Sequence, residues 1–125
     1  MNQKPSPFIR FIRSFRFACN GLGIALKGEQ NLRFHFIMVV VVSAFGFALQ
    51  INLVEWLIVL ILFGLVIAVE MLNTSIEKLC NLIHPEKDVR IAEIKDIAAG
   101  AVLWISIVAA IAGLIIFFPK VLNFL

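Results

Sequence analysis

Charged residues are scarce in this sequence. Only 15% of its 125 residues are charged while 62% are hydrophobic, and the mean hydropathy is +1.02. Soluble domains average about 25% charged and roughly 45–50% apolar residues. A soluble domain of this size has too much surface for its volume to hide so much apolar area. The composition therefore excludes a soluble globular domain. It also excludes a disordered chain, because disorder requires low hydrophobicity and high net charge.

Several motifs are missing as well. The two cysteines, Cys19 and Cys80, have no metal-ligand spacing, so neither a disulfide scaffold nor a zinc site is expected. The sequence has no G-x-x-x-x-G-K-[ST] phosphate loop and no G-x-S-x-G nucleophile motif. Residues 1–33 are basic but contain no apolar core followed by a small-residue cleavage site, so no cleavable signal peptide is expected. No nucleic-acid partner is expected either.

Three apolar segments are long enough to cross a bilayer, which takes about 20 mostly apolar residues in a helix. They are residues 34–53, 56–76 and 97–118. Alternation with a period of two is absent, so a membrane β-barrel is not supported. The first two segments are joined by only a few residues and must form a tight helical hairpin. We therefore predict an all-α integral membrane protein with a single domain over residues 1–125.

The basic residues predict the orientation of these spans, because cytoplasmic loops of membrane proteins are enriched in lysine and arginine. Six basic residues precede the first span and four lie between the second and third, whereas the connection between the first two has none. We expect the N-terminus and the connection between the second and third spans to be cytoplasmic, and the C-terminus to face outside. The expected location is the bacterial inner membrane.

Residues 8–27 predict a different kind of helix. Their apolar residues, including Phe8, Phe11 and Phe15, recur at helical spacing, and Arg13 and Arg16 fall elsewhere on the helical wheel. This pattern is typical of a basic amphipathic helix lying on the membrane surface.

Glu70 is the only charged residue within the three predicted spans. An ionisable group in a spanning helix is costly without a partner or water, and it indicates function. Glu70 lies on one helical stripe with Asn73, Thr74 and Glu77, and the two carboxylates are about 10 Å apart along the axis. The deeper carboxylate is desolvated, which suits a general base or a proton carrier. The shallower one is suited to bind a hard cation.

Other polar residues near the cytoplasmic ends of the spans can extend this site. Glu29 can join Glu77 in binding Mg²⁺ together with phosphate oxygens. Lys95 can offer a cation to the same phosphates, and Asp96 can cap the third span. His35 is open to three roles: a ligand, a hydrogen-bonded core residue or an interface residue.

Three stretches of the sequence resemble a known family. Residues 70–77 (EMLNTSIE) match the E-x-x-N-[ST]-[AS]-I-E signature of the prokaryotic diacylglycerol kinase family, which includes undecaprenol kinases. Residues 95–103 (KDIAAGAVL) resemble its K-D-x-[AG]-[AS]-[AG]-A-V-L element. Gly21-Leu22 followed by Glu29, Asn31, Arg33 and His35 looks like its G-[LI]…E-x-N-x-R-x-H stretch. Order and spacing agree from about Phe15 to Phe118.

The resemblance implies an ATP-dependent lipid kinase that works as a homotrimer. Glu70 is then the base toward the lipid hydroxyl, and Glu29 and Glu77 hold the divalent cation, Mg²⁺. Glu70 and Asn73 meet the lipid substrate. The nucleotide site implied by the resemblance comprises Arg10, Glu29, Asn73, Glu77, Lys95 and Asp96. The sequence departs from many relatives at Asn81, where they carry aspartate.

The resemblance leaves the acceptor lipid open. Diacylglycerol, giving phosphatidic acid, is the expected substrate. Undecaprenol is the alternative, and His35 is more typical of the undecaprenol kinase branch. From a different class, a small proton-coupled transporter using Glu70 as its carrier remains the runner-up, although such exporters have four spans. A structural or pore-forming oligomer is a third interpretation, which would leave Glu70 and Asn73 without a purpose beyond packing.

Overall fold

The chain folds into helices over nearly all of its length, as its long apolar runs predict. A computed structural model describes residues 2–125, and over that range it contains four α-helices and no strand. Three of them, α2 to α4, are long and apolar enough to cross a membrane. The predicted all-α membrane fold is thereby confirmed. The helices are α1 (Pro7–Gly28), α2 (Gln30–Ala48), α3 (Leu53–Ile83) and α4 (Val89–Phe124).

Helix α1 stands largely apart from the other three. Pro7 opens it, and the Ser6 hydroxyl caps it by accepting a hydrogen bond from the Ile9 N–H at 3.3 Å. Its apolar side chains, Phe8, Phe11 and Phe15 among them, are exposed, and Ala25 near its C-terminal end is its one buried residue. The predicted N-terminal helix is therefore present. Its position on the membrane surface stays a prediction, which the exposed apolar face supports.

The turn between α2 and α3 starts earlier than the sequence suggests. The span predicted at 34–53 ends at Ala48, and residues 49–52 form the turn. Gln50 adopts a positive φ of 54°, which interrupts the helix. Asn52 then caps α3: its side chain accepts from the Glu55 N–H at 2.9 Å, and the Glu55 carboxylate accepts from the Asn52 N–H. This reciprocal capping box fixes where α3 begins.

Two further contacts hold the hairpin end of the molecule, which we define as residues 49–56 with Lys120. The Glu55 carboxylate pairs with the Lys120 ammonium at 3.2 Å, joining the start of α3 to the end of α4. The Trp56 ring lies so close to Gly46 that a Cβ there would meet it at 2.7 Å. Only glycine leaves room for this approach. Ile51 of the hairpin end packs with Val59 and Ile116 to form a small hydrophobic core.

The connection between α3 and α4 comprises residues 84–88 and is shorter than the gap between the predicted spans 56–76 and 97–118. Helix α3 runs on to Ile83, and His84 and Pro85 end it. Asp88 caps α4 by accepting from the Arg90 N–H at 2.8 Å. The prediction that Asp96 caps the third span is therefore wrong. Because α4 already starts at Val89, Asp96 lies inside the helix, and Asp88 is the N-cap residue.

Asp88 is also the centre of a small charge cluster. The Arg90 guanidinium donates to its carboxylate at 2.9 Å, and His84 Nε2 lies 3.2 Å away. Hydrogen bonds from the Arg90 side chain, and then from the Arg90 N–H, lower the pKa of Asp88 to about 2. The connection is therefore held by charge-assisted contacts.

Candidate active site

Three polar side chains on α3 are buried next to one another. Glu70, Asn73 and Thr74 are 2%, 9% and 4% exposed, and we call them the buried polar cluster. Their spacing of three and four residues puts them on one side of the helix. Within residues 2–125, Glu70 Oε2, Asn73 Oδ1 and Thr74 Oγ1 have no hydrogen-bond partner. Buried polar atoms in proteins are nearly always paired, so unpaired ones call for an explanation such as a ligand or a partner molecule.

Helix α2 contributes two polar neighbours of Glu70. His35 Nε2 lies 3.9 Å from Glu70 Oε2, and the Asn31 amide approaches the same carboxylate. The distance to His35 is too long for a hydrogen bond, so the two groups interact through their charges when His35 is protonated. The structure thus puts His35 next to the buried polar cluster, and its role as a ligand, a core residue or an interface residue stays a prediction.

Two further carboxylates are near enough to Glu70 to interact with it electrostatically, and they belong to Glu29 and Glu77. Glu29 is the extended residue that separates α1 from α2, with φ −119° and ψ 114°. It occupies the N-cap position of α2, yet its side chain makes no capping hydrogen bond. Its carboxylate is thus available to another partner. Glu29 and Glu77 are therefore within electrostatic range of Glu70, although only Glu70 and Glu77 belong to α3.

The carboxylate oxygens of Glu29 and Glu77 are suitable ligands for a hard cation that also binds the phosphates of a nucleotide. Both side chains are partly exposed, and both offer carboxylate oxygens. No set of three His, Cys, Asp or Glu side chains within residues 2–125 is arranged to hold a metal ion by itself. Mg²⁺ is commonly bound through one or two carboxylates, with phosphate oxygens and waters completing its shell. Two carboxylates beside unpaired buried polar atoms match that requirement.

Lys95 lies across from α3 at the end near the α3–α4 connection. Its ammonium donates a hydrogen bond to Asn81 Oδ1 at 2.5 Å. Asn81 is neutral, so the bond orients the ammonium without an ion pair. Lys95, Asn81 and His84 line a polar cleft of about 480 Å³ beside the connection. A cation on the wall of such a cleft is suited to bind an anion.

Two predicted site residues are not drawn into this arrangement. Arg10 is exposed on α1, and Asp96 is exposed on α4. Over the part of the chain that the structure describes, neither side chain makes a hydrogen bond or an ion pair. Their proposed roles toward a nucleotide therefore rest on the sequence resemblance.

Thr74 and Asn31 lie in the site although the sequence assigns neither of them a role. Helical spacing predicts the position of Thr74 beside Glu70 but not that its hydroxyl is unpaired. Asn31 lies beside Glu70 only because α2 packs against α3. No pattern within the sequence reports that packing.

An apolar cleft of about 360 Å³ opens between α2, α3 and α4, and it runs away from the buried polar cluster. His35 and Val66, one turn before Glu70, lie on its wall. Small residues of α4, among them Ala110 and Gly113, form the opposite side. The apolar cleft therefore begins about one helical turn from Glu70.

Comparisons with known proteins agree with this arrangement. The profile of the prokaryotic diacylglycerol kinase family matches residues 16–117. The chain is 36% identical over 111 residues to the undecaprenol kinase of Bacillus subtilis, covering 89% of this chain and 90% of that protein. It is 32% identical over 111 residues to the diacylglycerol kinase of Synechocystis sp., covering 88% of this chain and 63% of that protein. The chain therefore belongs to the prokaryotic diacylglycerol kinase family of membrane lipid kinases.

Proposed function

We propose that the protein transfers the γ-phosphoryl group of ATP to the primary hydroxyl of a membrane lipid, with Glu70 as the general base. One observation carries the proposal. Glu70 is 2% exposed in a membrane-spanning helix, and its Oε2 has no hydrogen-bond partner within residues 2–125. A carboxylate oxygen of this kind is placed to accept a proton from a hydroxyl that reaches it through the bilayer.

The reaction needs little covalent chemistry from the protein. The lipid hydroxyl oxygen attacks the γ-phosphorus, and its proton passes to the Glu70 carboxylate. The bond from the γ-phosphorus to the β,γ-bridging oxygen breaks, and ADP leaves with the electron pair. Phosphoryl transfer is catalysed mainly by positioning and by stabilising charge. A few acids and one lysine are enough for that task.

Glu29 and Glu77 would hold the Mg²⁺ ion that accompanies ATP. The bound ion would neutralise charge on the phosphates. Their carboxylates are close enough to Glu70 to interact with it electrostatically, so a cation held between them would bring the γ-phosphate toward the buried polar cluster. The Glu29 side chain makes no cap to α2, which leaves its carboxylate available to the ion.

The remaining nucleotide contacts follow the family resemblance. Lys95 would bind phosphate oxygens, with Asn81 orienting its ammonium. Asn73 would meet both nucleotide and lipid, since its Oδ1 is buried and unpaired. Asp96 and Arg10 would contact the nucleotide from α4 and α1, which requires movement of their exposed side chains or of α1. Both remain predictions.

Two lipids are candidates for the acceptor. Diacylglycerol is the expected one, and the matched diacylglycerol kinase supports it. Undecaprenol is a second candidate, supported by the higher identity and the larger coverage of the matched undecaprenol kinase. Both carry a primary hydroxyl on a long apolar tail. Family membership favours either of them over the proton-coupled transporter.

The protein would act as a homotrimer in the bacterial inner membrane, with its N-terminus in the cytoplasm and its C-terminus outside. Exposed glycines at Gly64 and Gly100, each with open space around its α-carbon, support close packing of α3 and α4 against other copies. The native mass of the purified protein in detergent would measure the copy number.

The acceptor is tested with purified protein, radiolabelled ATP and each lipid in turn. Label in phosphatidic acid with diacylglycerol, or in undecaprenyl phosphate with undecaprenol, identifies the substrate. The Glu93→Gln variant serves as a control, because Glu93 is exposed and lies outside the proposed site. Absence of label from both lipids, with folded protein, would contradict the proposed function.

A further inference from the structure

Thr74 has a buried hydroxyl that the proposed mechanism does not yet use. The residue is 4% exposed, and Thr74 Oγ1 has no hydrogen-bond partner among residues 2–125. A hydroxyl in a helix often donates to the carbonyl four residues earlier. Ser14 in α1 does this, donating to the Arg10 carbonyl at 3.0 Å. Thr74 does not use the equivalent carbonyl of Glu70, so its hydroxyl is left for another group.

The position of Thr74 along α3 is the second observation. It follows Glu70 by four residues and precedes Glu77 by three, so it lies about 6 Å from one and about 4.5 Å from the other along the helix axis. All three residues share one side of the helix. Thr74 therefore lies between the proposed base and the proposed cation ligand, on the path that the phosphoryl group takes.

The chemistry of the buried polar cluster singles out Thr74 for one task. The other two unpaired atoms are acceptors. Asn73 Oδ1 is an amide oxygen, and Glu70 Oε2 belongs to a carboxylate that can only accept hydrogen bonds while it is ionised. A threonine hydroxyl also donates. A phosphoryl group in transfer carries negative charge on its three equatorial oxygens and needs donors. Of the three unpaired atoms, Thr74 Oγ1 alone can donate a hydrogen bond, and it would act beside the N–H groups of Asn73 and Lys95.

We propose that Thr74 is a catalytic residue whose hydroxyl donates a hydrogen bond to an equatorial oxygen of the γ-phosphoryl group during transfer. This inference rests on the proposed function. No bond forms or breaks at Thr74: the lipid oxygen bonds to phosphorus, ADP leaves with the electron pair, and the proton goes to Glu70. The hydroxyl stabilises the charge that develops in between.

Two variants test the proposal. Thr74→Val removes the hydroxyl at nearly constant shape, and Thr74→Ser keeps it. Loss of one donor of this type lowers kcat by about 10²–10³-fold. We expect that loss for Thr74→Val, with the KM for Mg-ATP changed by less than about 3-fold, and a kcat for Thr74→Ser within about 5-fold of wild type. The midpoint of thermal unfolding of Thr74→Val should be unchanged or higher, because no intramolecular hydrogen bond is lost.

Other results would overturn it. Retention of kcat within about 3-fold in Thr74→Val would show that the hydroxyl does not meet the phosphoryl group. A lower unfolding midpoint, or a lower native mass, with kcat per folded protein preserved would assign the hydroxyl to helix packing instead. If wild-type protein phosphorylates neither lipid, the proposed function fails and this inference fails with it. If only the Thr74 role is wrong, wild-type turnover remains.

Discussion

The charged side chains of the hairpin end are paired with each other, whereas the side chains of the buried polar cluster have atoms without a partner in the described part of the chain. At the hairpin end, Asn52 and Glu55 satisfy each other through a capping box, and Lys120 pairs with the same carboxylate. In the buried polar cluster, Glu70 and its neighbours are more deeply buried but have unpaired atoms. Glu55 and Glu70 both belong to α3 and are 15 residues apart. The difference separates a glutamate that stabilises the fold from one that we propose takes part in the reaction.

The same comparison holds at the α3–α4 connection, where Asp88 is paired with Arg90 and His84. Paired carboxylates stand at the helix ends, where they cap helices or join them. Glu70, which is buried and has an unpaired oxygen, lies inside α3 where α2 faces it. Because an unpaired buried group destabilises the fold, its presence calls for a partner outside this chain, either a ligand or another molecule.

The largest effect is expected for Glu70→Gln. The substitution keeps the shape of the side chain and removes the proposed base, which should lower the rate of lipid phosphorylation by about 10²–10⁴-fold. Binding of Mg-ATP should persist, measured as protection from thermal unfolding. Near-wild-type turnover would remove Glu70 from the role of base.

Glu77→Gln should show a smaller and different effect. Loss of one proposed cation ligand should raise the KM for Mg-ATP by about 10-fold or more, as changes to metal-binding side chains commonly do. The dependence of the rate on Mg²⁺ concentration measures this directly, with Glu93→Gln as the matched exposed control. An unchanged Mg²⁺ dependence would argue against Glu77 as a ligand.

Glu55→Gln makes the same chemical change at the hairpin end, where it should lower stability and leave turnover unchanged. The Glu55–Lys120 pair is partly exposed, so its loss should lower the free energy of unfolding by about 0.2–1 kcal/mol. Turnover per folded protein should remain at the wild-type level. The midpoint of thermal unfolding in detergent measures the first quantity. A large loss of kcat without a change in that midpoint would contradict the structural role.

The smallest effect is expected from titrating Asp88. Its pKa is lowered to about 2 in the folded protein, from about 3.9 in an unfolded chain. A lowered pKa contributes stability that is complete above the unfolded value, and that stability is lost as the pH falls from about 4 to 2. The unfolding midpoint should therefore drop slightly over this range. Asp88→Asn should remove that part of the pH dependence, and an identical pH profile in both proteins would contradict the assignment.

The helices could be predicted from the sequence because their apolar runs are long and lack alternation. Their ends could not, because capping decides them. Gln50 interrupts α2 through a positive φ, and Asp88 starts α4 well before the apolar run begins at Ile97. The predicted span boundaries 34–53 and 97–118 are based on hydropathy, which carries no information about hydrogen bonds at helix ends.

Part of the candidate site followed from helical spacing alone. Glu70, Asn73 and Glu77 lie on one stripe of α3, and the structure keeps them there. The approach of Glu29, Asn31 and His35 to Glu70 depends on how α2 packs against α3, which the sequence does not encode in any local pattern. The unpaired hydroxyl of Thr74 could be recognised only once its neighbours were known.

The most direct test compares Glu70→Gln and Glu55→Gln in one experiment, measuring labelled phosphate transfer to lipid and thermal unfolding for both. We predict that Glu70→Gln loses turnover by about 10²–10⁴-fold without a lower unfolding midpoint, whereas Glu55→Gln lowers the midpoint and keeps turnover. If Glu70→Gln unfolds at a lower temperature while its folded fraction still phosphorylates lipid at the wild-type rate, Glu70 is a packing residue and the proposed mechanism is wrong.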